Sequence, residues 1–519
     1  MDDLVLCSLG LSLLLLALYG VGRVSYPIWW KPKWLARKLR QQGIRGTPYK
    51  LWVGDMKEHV RLITEAWSKP INLTHQIAQR VDPLTLNTVR KYGKISMYWY
   101  GTTPRLIISD PELMREVLSN KLGNFEKPPL NPLVPSIAKG VTELQGEKWV
   151  EHRRVINPAF QLEKLKGMIP VFSLSCNRMI EHWQEMVNDQ ETCEVDVWPE
   201  LQKIAMDIIS RVAFGSNYEE GKKIFKLLQE SLTLTFEAMQ MVYIPGFRFV
   251  PTKKNRRRYK LVAETTSMLR DLVERKQNAM RTGQSRVDDL LSLLLQSNEQ
   301  NILGNASGKK VNGLTIEEVI EECKVFYLAG QETTSSLLTW TMIVLSMHPD
   351  WQEKAREEVL QVCGKSEPDF EALSHLKVVT MILNEVLRLY PPGIAQHRHT
   401  YKEGKIGDMT IPAGIDLVLT TMLLHRDPEL WGDDAEEFRP ERFSEGISKA
   451  SKNHLAFVPF GGGQRTCIGQ NFAMLEAKTV LARILQHFSF ELSPSYAHAP
   501  YAFPLLQPQH GAQIIIHQI

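Results

Sequence analysis

The sequence predicts a mainly α-helical domain with a small β region, held behind an N-terminal transmembrane helix. Three observations carry that expectation. Helical patterning dominates residues 162–300 and returns in three later segments, one of them opened by a capping box. Strand-like runs are short and confined to residues 94–109 and 406–421. Residues 4–22 are almost wholly apolar, about the length that crosses a bilayer as a helix.

The apolar run comes after Asp2 and Asp3. Beyond it lie Arg23, Lys31, Lys33, Arg37, Lys38, Arg40, Arg45 and Lys50, with no acid between Arg23 and Lys50. The positive-inside rule places the rest of the chain in the cytosol. Trp29, Trp30 and Trp34 suit a membrane–water interface. An acidic start and the lack of a small-x-small site argue against a cleaved signal peptide. The expected organisation is an anchor over 1–24, a basic and aromatic linker over 25–48, and a catalytic domain over 49–519. The sequons at Asn72 and Asn305 would then face the cytosol.

Residues 94–100 and 105–109 read as strands joined by Gly101-Thr102-Thr103-Pro104. Asp110 caps the next helix, with Pro111 at its first position. Residues 124–146 carry Pro128, Pro129, Pro132 and Pro135 and resist regular structure, as binding loops often do. Trp149 and Arg153 come next, four apart on a predicted helix, so an indole N–H and a guanidinium can reach one partner. A core tryptophan beside a solvated arginine is the plainer reading. Residues 236–251 are apolar and aromatic, and Lys253, Lys254, Arg256, Arg257, Arg258 and Lys260 succeed them, a charge run that reads by default as a solvated helix face. Residues 296–313 read as a polar surface loop.

Thr315 and Glu318 form a capping box, and the helix they open can run to about Met347 before His348-Pro349 stops it. Its middle reads Ala329-Gly330-Gln331-Glu332-Thr333-Thr334. One reading is a kink loosened by back-bonded hydroxyls. The other is a notch for dioxygen on a face shared by Ala329, Gly330, Thr333 and Thr334, opened by the small Ala329 and Gly330, with Thr333 relaying protons that Glu332 supplies. Residues 376–390 form an amphipathic helix carrying Glu385-x-x-Arg388, which alone would be a surface ion pair. Phe438-Arg439-Pro440-Glu441-Arg442-Phe443 sets Arg442 in an apolar frame. Residues 406–421 read as two strands around Pro412-Ala413-Gly414.

The last motif is Phe460-Gly461-Gly462-Gly463-Gln464-Arg465-Thr466-Cys467-Ile468-Gly469, with a helix from about Asn471 to His487. A thiolate is a soft ligand for a redox metal and can hold haem iron axially. Amides at the helix start would favour the thiolate. An ordinary buried cysteine beside a Gly-rich turn is the alternative. No Gly-Lys-Ser/Thr succeeds the glycines, so this is not a phosphate loop.

Composition excludes several classes. Hydrophobic residues make up 43% and charged residues 23%, ordinary for a globular protein. A net charge of +4 is too small to argue for nucleic acid. The six cysteines are scattered, as in a reducing compartment, and exclude a zinc cluster of closely spaced thiols. Neither H-E-x-x-H nor G-x-S-x-G occurs.

Phe460, then Gly463, Arg465, Cys467 and Gly469, is spaced as in the haem-binding loop of the cytochrome P450 family, and the chain resembles that family over essentially its whole length. Its tail and the Pro-Gly-Phe segment resemble the plant microsomal branch that includes secologanin synthase. The resemblance implies the cytochrome P450 fold and haem b with Cys467 as axial thiolate. Trp149, Arg153, Arg398, Phe460 and Arg465 would bind haem, largely at its propionates. It implies Glu332 and Thr333 in oxygen activation, and a buried Glu385–Arg388–Arg442 network. The segment over 236–251 would dip toward the membrane, and Phe503-Pro504-Leu505 would sit in a C-terminal hairpin near substrate. The implied activity is a monooxygenase that inserts one oxygen atom from O2 into a small apolar substrate of iridoid, triterpenoid or gibberellin type. Electrons would come from NADPH through NADPH–cytochrome P450 reductase, at the endoplasmic reticulum membrane with membrane lipid as a further partner. A thiolate-haem isomerase or dehydratase and a non-catalytic haem sensor are the competing readings.

Overall fold

The computed structural model describes residues 2–120, 123–130, 138–187, 192–215, 218–239, 246–283, 289–303 and 313–519. The chain divides into two compact units.

The smaller unit comprises Met1–Ala66, Asp82–Pro128 and Gln396–Thr420. Its N-terminal helix, Asp2–Ser25, continues through a π-helical turn, Tyr26–Trp30, into a linker helix, Lys31–Gln41. Side chains along the described part of the first helix are exposed. The linker helix buries Pro32, Leu35, Ala36 and Leu39 and leaves its basic side chains outside. A six-stranded sheet runs in the order Arg45–Gly46, Ile95–Tyr100, Thr103–Ile108, Asp416–Leu419, Gln396–Thr400, Phe125–Glu126. The expected hairpin is there, with Met97 opposite Leu106, and Gly101 takes the left-handed φ of +59° that its turn requires. Asp110 accepts from the Leu113 amide at 3.0 Å and starts the Pro111–Ser119 helix, as the Asp-Pro pair predicts. The strand Gln396–Thr400 has no clear signal in the sequence. It puts Arg398 in the sheet opposite Leu417.

The larger unit comprises Trp67–Val81, Pro129–Ala395 and Thr421–Ile519. A central helix, Ile316–Met347, is its axis, and 32 residues make it ~48 Å long. Thr315 Oγ1 and the Glu318 side chain close the predicted capping box. The helices Val197–Phe214, Lys253–Arg281, Lys377–Leu389 and Gln470–His487 pack around it. From Thr334 to Leu345 every residue of the central helix is buried, so its C-terminal half is surrounded on all sides. The Trp340 ring stacks on Tyr390 at 4.6 Å, and its indole donates to the Leu506 carbonyl. That bond pins the central helix to a C-terminal hairpin, Pro500–Ala502 with Leu506–Pro508, whose tip holds Phe503-Pro504-Leu505 as expected. A three-stranded sheet, Phe488–Leu492, Gln513–Gln518 and Thr192–Asp196, completes the unit. Its edge strand Thr192–Asp196 is likewise silent in the sequence.

Two expectations change. Residues 296–303 are not loop but the end of a helix, Leu290–Leu303. The polar Asn298 is buried there because its amide exchanges two hydrogen bonds with the backbone of Leu314, at 2.9 and 2.6 Å, bracing the start of the central helix. Asn305 and its sequon lie outside the described residues. The basic run over 253–260 is not one solvated face. Lys254 pairs with Glu237 and Arg257 with Glu230, while Arg258 is buried and donates to the Leu234 carbonyl.

Candidate functional site

The Gly-rich loop folds back on itself. The Cys467 amide donates to the Phe460 carbonyl at 2.9 Å, and Gly461 and Gly463 take φ of +75° and +67°, which side chains disfavour. The helix Gln470–His487 starts directly after Gly469. Protein packs closely around Cys467, yet its side chain keeps an exposed side. Burial raises its pKa, while the Gly469 amide and the Arg153 charge lower it, and burial wins. A cation at the sulfur is what would turn the balance toward thiolate.

Trp149, Arg153 and Arg465 converge on this loop. The helix Gly146–Ile156 carries the first two on one face. Arg153 Nη2 donates to the Thr466 carbonyl at 2.9 Å. Arg465 donates to the Leu144 carbonyl at 2.7 Å and lies over the Trp149 ring at 4.8 Å. The neighbouring face of the same helix grips the central helix. His152 Nδ1 meets Glu322 Oε1 at 2.5 Å, both buried, and Lys148 pairs with Glu318 at 2.5 Å. Sequence reasoning missed His152 and Glu322, which lie 170 residues apart. Arg398 belongs to the sheet unit, where it is buried and donates to the His397 carbonyl at 2.9 Å.

In the middle of the central helix, Ala329 is exposed and Leu328, Gly330 and Thr333 are half-buried, although the turns on either side are buried. The Thr333 hydroxyl donates to the Ala329 carbonyl at 2.6 Å, the back-bonded state. Gly330 and Thr334 do not share that open face, which corrects the expected notch. A Cβ on Gly330 would come within 2.7 Å of Ile209, so this glycine serves close helix packing. Thr334 is buried beside Glu476 of the helix after Cys467. Glu332 is buried, and its carboxylate accepts from Gln229 at 3.5 Å. Burial raises its pKa, so it holds its proton to higher pH than an exposed glutamate. Glu476, not singled out from sequence, has both carboxyl oxygens buried without a well-formed hydrogen bond, and burial pushes its pKa well up.

Behind the loop, Glu385, Arg388 and Arg442 come together as the family resemblance implies, and not as the surface ion pair that the spacing of the first two suggests. Glu385 and Arg388 are both fully buried, at 0% exposure, and pair in bidentate fashion at 2.7 and 2.8 Å. Arg388 spends its remaining donors on the carbonyls of His425, Ala435 and Glu437. Arg442 lies 3.5 Å from Glu385 and 2.8 Å from Asp434. His425 joins this network to the loop. Burial, with Arg388 and Arg426 nearby, pushes it down to about 3, so it is neutral. The Val458 amide donates to its Nε2 at 3.0 Å, which leaves the proton on Nδ1, facing the Arg388 carbonyl at 3.2 Å.

Among the described residues no three His, Cys, Asp or Glu side chains cluster to hold a metal ion. An iron bound to Cys467 must therefore bring its other ligands, as a macrocycle does. One soft donor with an accessible side, and Arg153, Arg465 and Trp149 gathered beside it, fit a haem carrying two carboxylates. Fold and site thus define a haem-thiolate protein.

The cytochrome P450 family model matches residues 71–516. Cytochrome P450 CYP72A616 of Paris polyphylla is 53% identical over all of both chains. Cytochrome P450 72A397 of Kalopanax septemlobus is 51% identical over 95% of this chain and 94% of its own. An 11-oxo-beta-amyrin 30-oxidase of Glycyrrhiza uralensis is 50% identical, again over 95% and 94%. The chain belongs to the cytochrome P450 family, and it is a monooxygenase that uses haem b with an axial cysteine thiolate.

Proposed function

We propose that this monooxygenase oxidises a terpenoid, with a triterpenoid as the first candidate over an iridoid or gibberellin. The support is the half-identical relative named as an 11-oxo-beta-amyrin 30-oxidase, together with aromatic pairs in the segments expected to line the substrate pocket: Phe326 against Phe160, and Phe236 against Phe503. Closer likeness to secologanin synthase remains part of the same proposal. Electrons would come from NADPH through the reductase, at the endoplasmic reticulum membrane. The catalytic domain would be cytosolic, spanning 49–519 behind the anchor 1–24 and the linker 25–48. Phe249 and Val250, both exposed, sit where a membrane-dipping loop is expected.

Haem, when bound, supplies dioxygen activation by one-electron steps. The residues supply the setting. Cys467 is the ligand, within a loop closed at Phe460. Trp149, Arg153 and Arg465 orient the group through its carboxylates, with Arg398 a further candidate. Thr333 offers an oxygen at the open face. Glu332, buried against Gln229 with its pKa raised by that burial, would supply protons one residue away. The accessible sulfur of Cys467 carries this reading. Glu332 and Thr333 favour oxygen activation over isomerase, dehydratase or sensor roles.

The test is the reduced carbon monoxide spectrum of the purified chain, and then turnover of the three terpenoid classes with NADPH and reductase, read by mass spectrometry. A thiolate-type band absent from Cys467→Ala is expected. An unchanged band in that variant overturns the ligand assignment, and no product from any class overturns the substrate assignment.

A further inference from the structure

The linker helix forms a pocket that the monooxygenase reaction does not use. A cavity of about 600 Å³ is lined by Trp29, Lys33, Arg37, Arg40, Tyr49 and Leu51. Lys33, Arg37 and Arg40 lie at i, i+4 and i+7 of one helix, hence on one stripe. No acid occurs between Arg23 and Lys50, and among the described residues no carboxylate pairs with these three. Lys33 Nζ sits 3.6 Å from the Trp29 ring centroid.

The opposite wall is held in place. Pro32 has no N–H to give the Ile28 carbonyl four residues earlier, and the Tyr49 hydroxyl donates to that carbonyl instead, at 2.5 Å. The Tyr49 ring packs on the buried Trp99 at 4.7 Å. The pocket is therefore preorganised, with Trp29 at the head of the cationic stripe and Tyr49 and Leu51 supplied by the segment that succeeds the linker helix. Its place in the chain supplies the ligand. The π-turn carrying Trp29 and Trp30 leads directly from the apolar helix into the basic stripe, and Trp30 and Trp34 are exposed. With those tryptophans at the interface, Arg37 and Arg40 stand at or just beyond headgroup depth.

We propose that this pocket binds the headgroup of an anionic phospholipid, its phosphate on Arg37 and Arg40 and its glycerol and first methylenes against Trp29 and Leu51. Arginine suits phosphate through paired N–H donors. A free phosphate shares that chemistry but has no use for the apolar wall. The site rests on reading residues 1–24 as a membrane anchor.

The full-length holoprotein is reconstituted in phosphatidylcholine bilayers with or without phosphatidic acid, and lipid retained after detergent extraction is measured by native mass spectrometry. The variants are Arg37→Gln/Arg40→Gln and, as a charge-matched control outside the pocket, Lys31→Gln/Lys38→Gln, each required to keep the carbon monoxide band. Removing the pocket cations is expected to cut phosphatidic acid retention by about fivefold per charge, while Lys31→Gln/Lys38→Gln retains it like the unaltered chain. Equal loss in both variants means diffuse attraction and overturns the site. Displacement of the lipid by inorganic phosphate overturns it in favour of a free anion. Reductase-supported turnover lost in pure phosphatidylcholine, with lipid retention unchanged in the pocket variant, overturns it in favour of a protein partner. Alkaline extraction tests the anchor separately: a chain released from membranes refutes the anchor, whereas unchanged retention in a still-anchored Arg37→Gln/Arg40→Gln chain refutes only the pocket.

Discussion

The buttress behind the Cys467 loop and the middle of the central helix are both buried and polar, but they handle polarity in opposite ways. In the buttress, all five N–H donors of Arg388 have acceptors, and Glu385 also takes the Arg439 amide at 2.9 Å. In the central helix, Glu332 has one long hydrogen bond and the amide of Gln331 has none of good geometry, nor does the carboxyl of Glu476, which packs against the central helix from the helix Gln470–His487. A saturated network fixes a position; an unsaturated one leaves groups able to exchange partners and protons. The first arrangement suits a loop that must hold a ligand still. The second suits a helix face proposed to pass protons.

The largest effect should come from breaking the saturated side. Arg388→Ala strands the Glu385 carboxylate in the core, at roughly 3–5 kcal/mol. We expect loss of haem retention and a lowered Tm, read by the carbon monoxide spectrum and thermal unfolding. A variant that kept both would mean that the network is not the support of the loop. On the unsaturated side, Thr333→Ala should leave Tm and the haem spectrum unchanged and lower product per NADPH, with product formation down by up to about 100-fold. Full coupling in that variant would remove the difference between the two regions.

How far the sequence foretells each side depends on how local its interactions are. The capping box at Thr315 and Glu318 and the Glu385/Arg388 pair lie within one helical turn, so spacing alone reveals them. The acceptors that saturate Arg388 come from 37 to 49 residues further on, where no periodicity points to them. Gly330 is legible as an absence of bulk, but its neighbour Ile209 belongs to another helix, so the sequence suggests an open notch where the structure has helix packing. The strand Thr192–Asp196 is short and pairs only with Gln513–Gln518, at the far end of the chain. Arg398 fits a motif position, but its place opposite Leu417 depends on a sheet made from distant segments.

Gly330 gives a smaller effect that sharpens the corrected reading. Gly330→Ala gains helix propensity of about 1 kcal/mol but must displace Ile209, at about 1–3 kcal/mol. A modest fall in Tm is expected, and Ile209→Val in the same chain should restore part of it. If Gly330→Ala instead leaves Tm unchanged and slows turnover, the glycine belongs to the open face after all.

The smallest effect concerns Glu476, and its sign is the informative part. Burial raises its pKa in the folded chain, so the folded state keeps the proton that the unfolded chain gives up above the ordinary glutamate range. Whatever stability the protonated carboxyl contributes is therefore fully present below the unfolded pKa and declines as pH rises toward the folded one. Glu476→Gln has no proton to lose. Its Tm should match that of the unaltered chain in mild acid and then exceed it by about 1–2 °C per pH unit on the way to neutrality. Parallel Tm curves would mean that Glu476 is ionised when folded and has a partner, and the middle of the central helix would then be as saturated as the buttress.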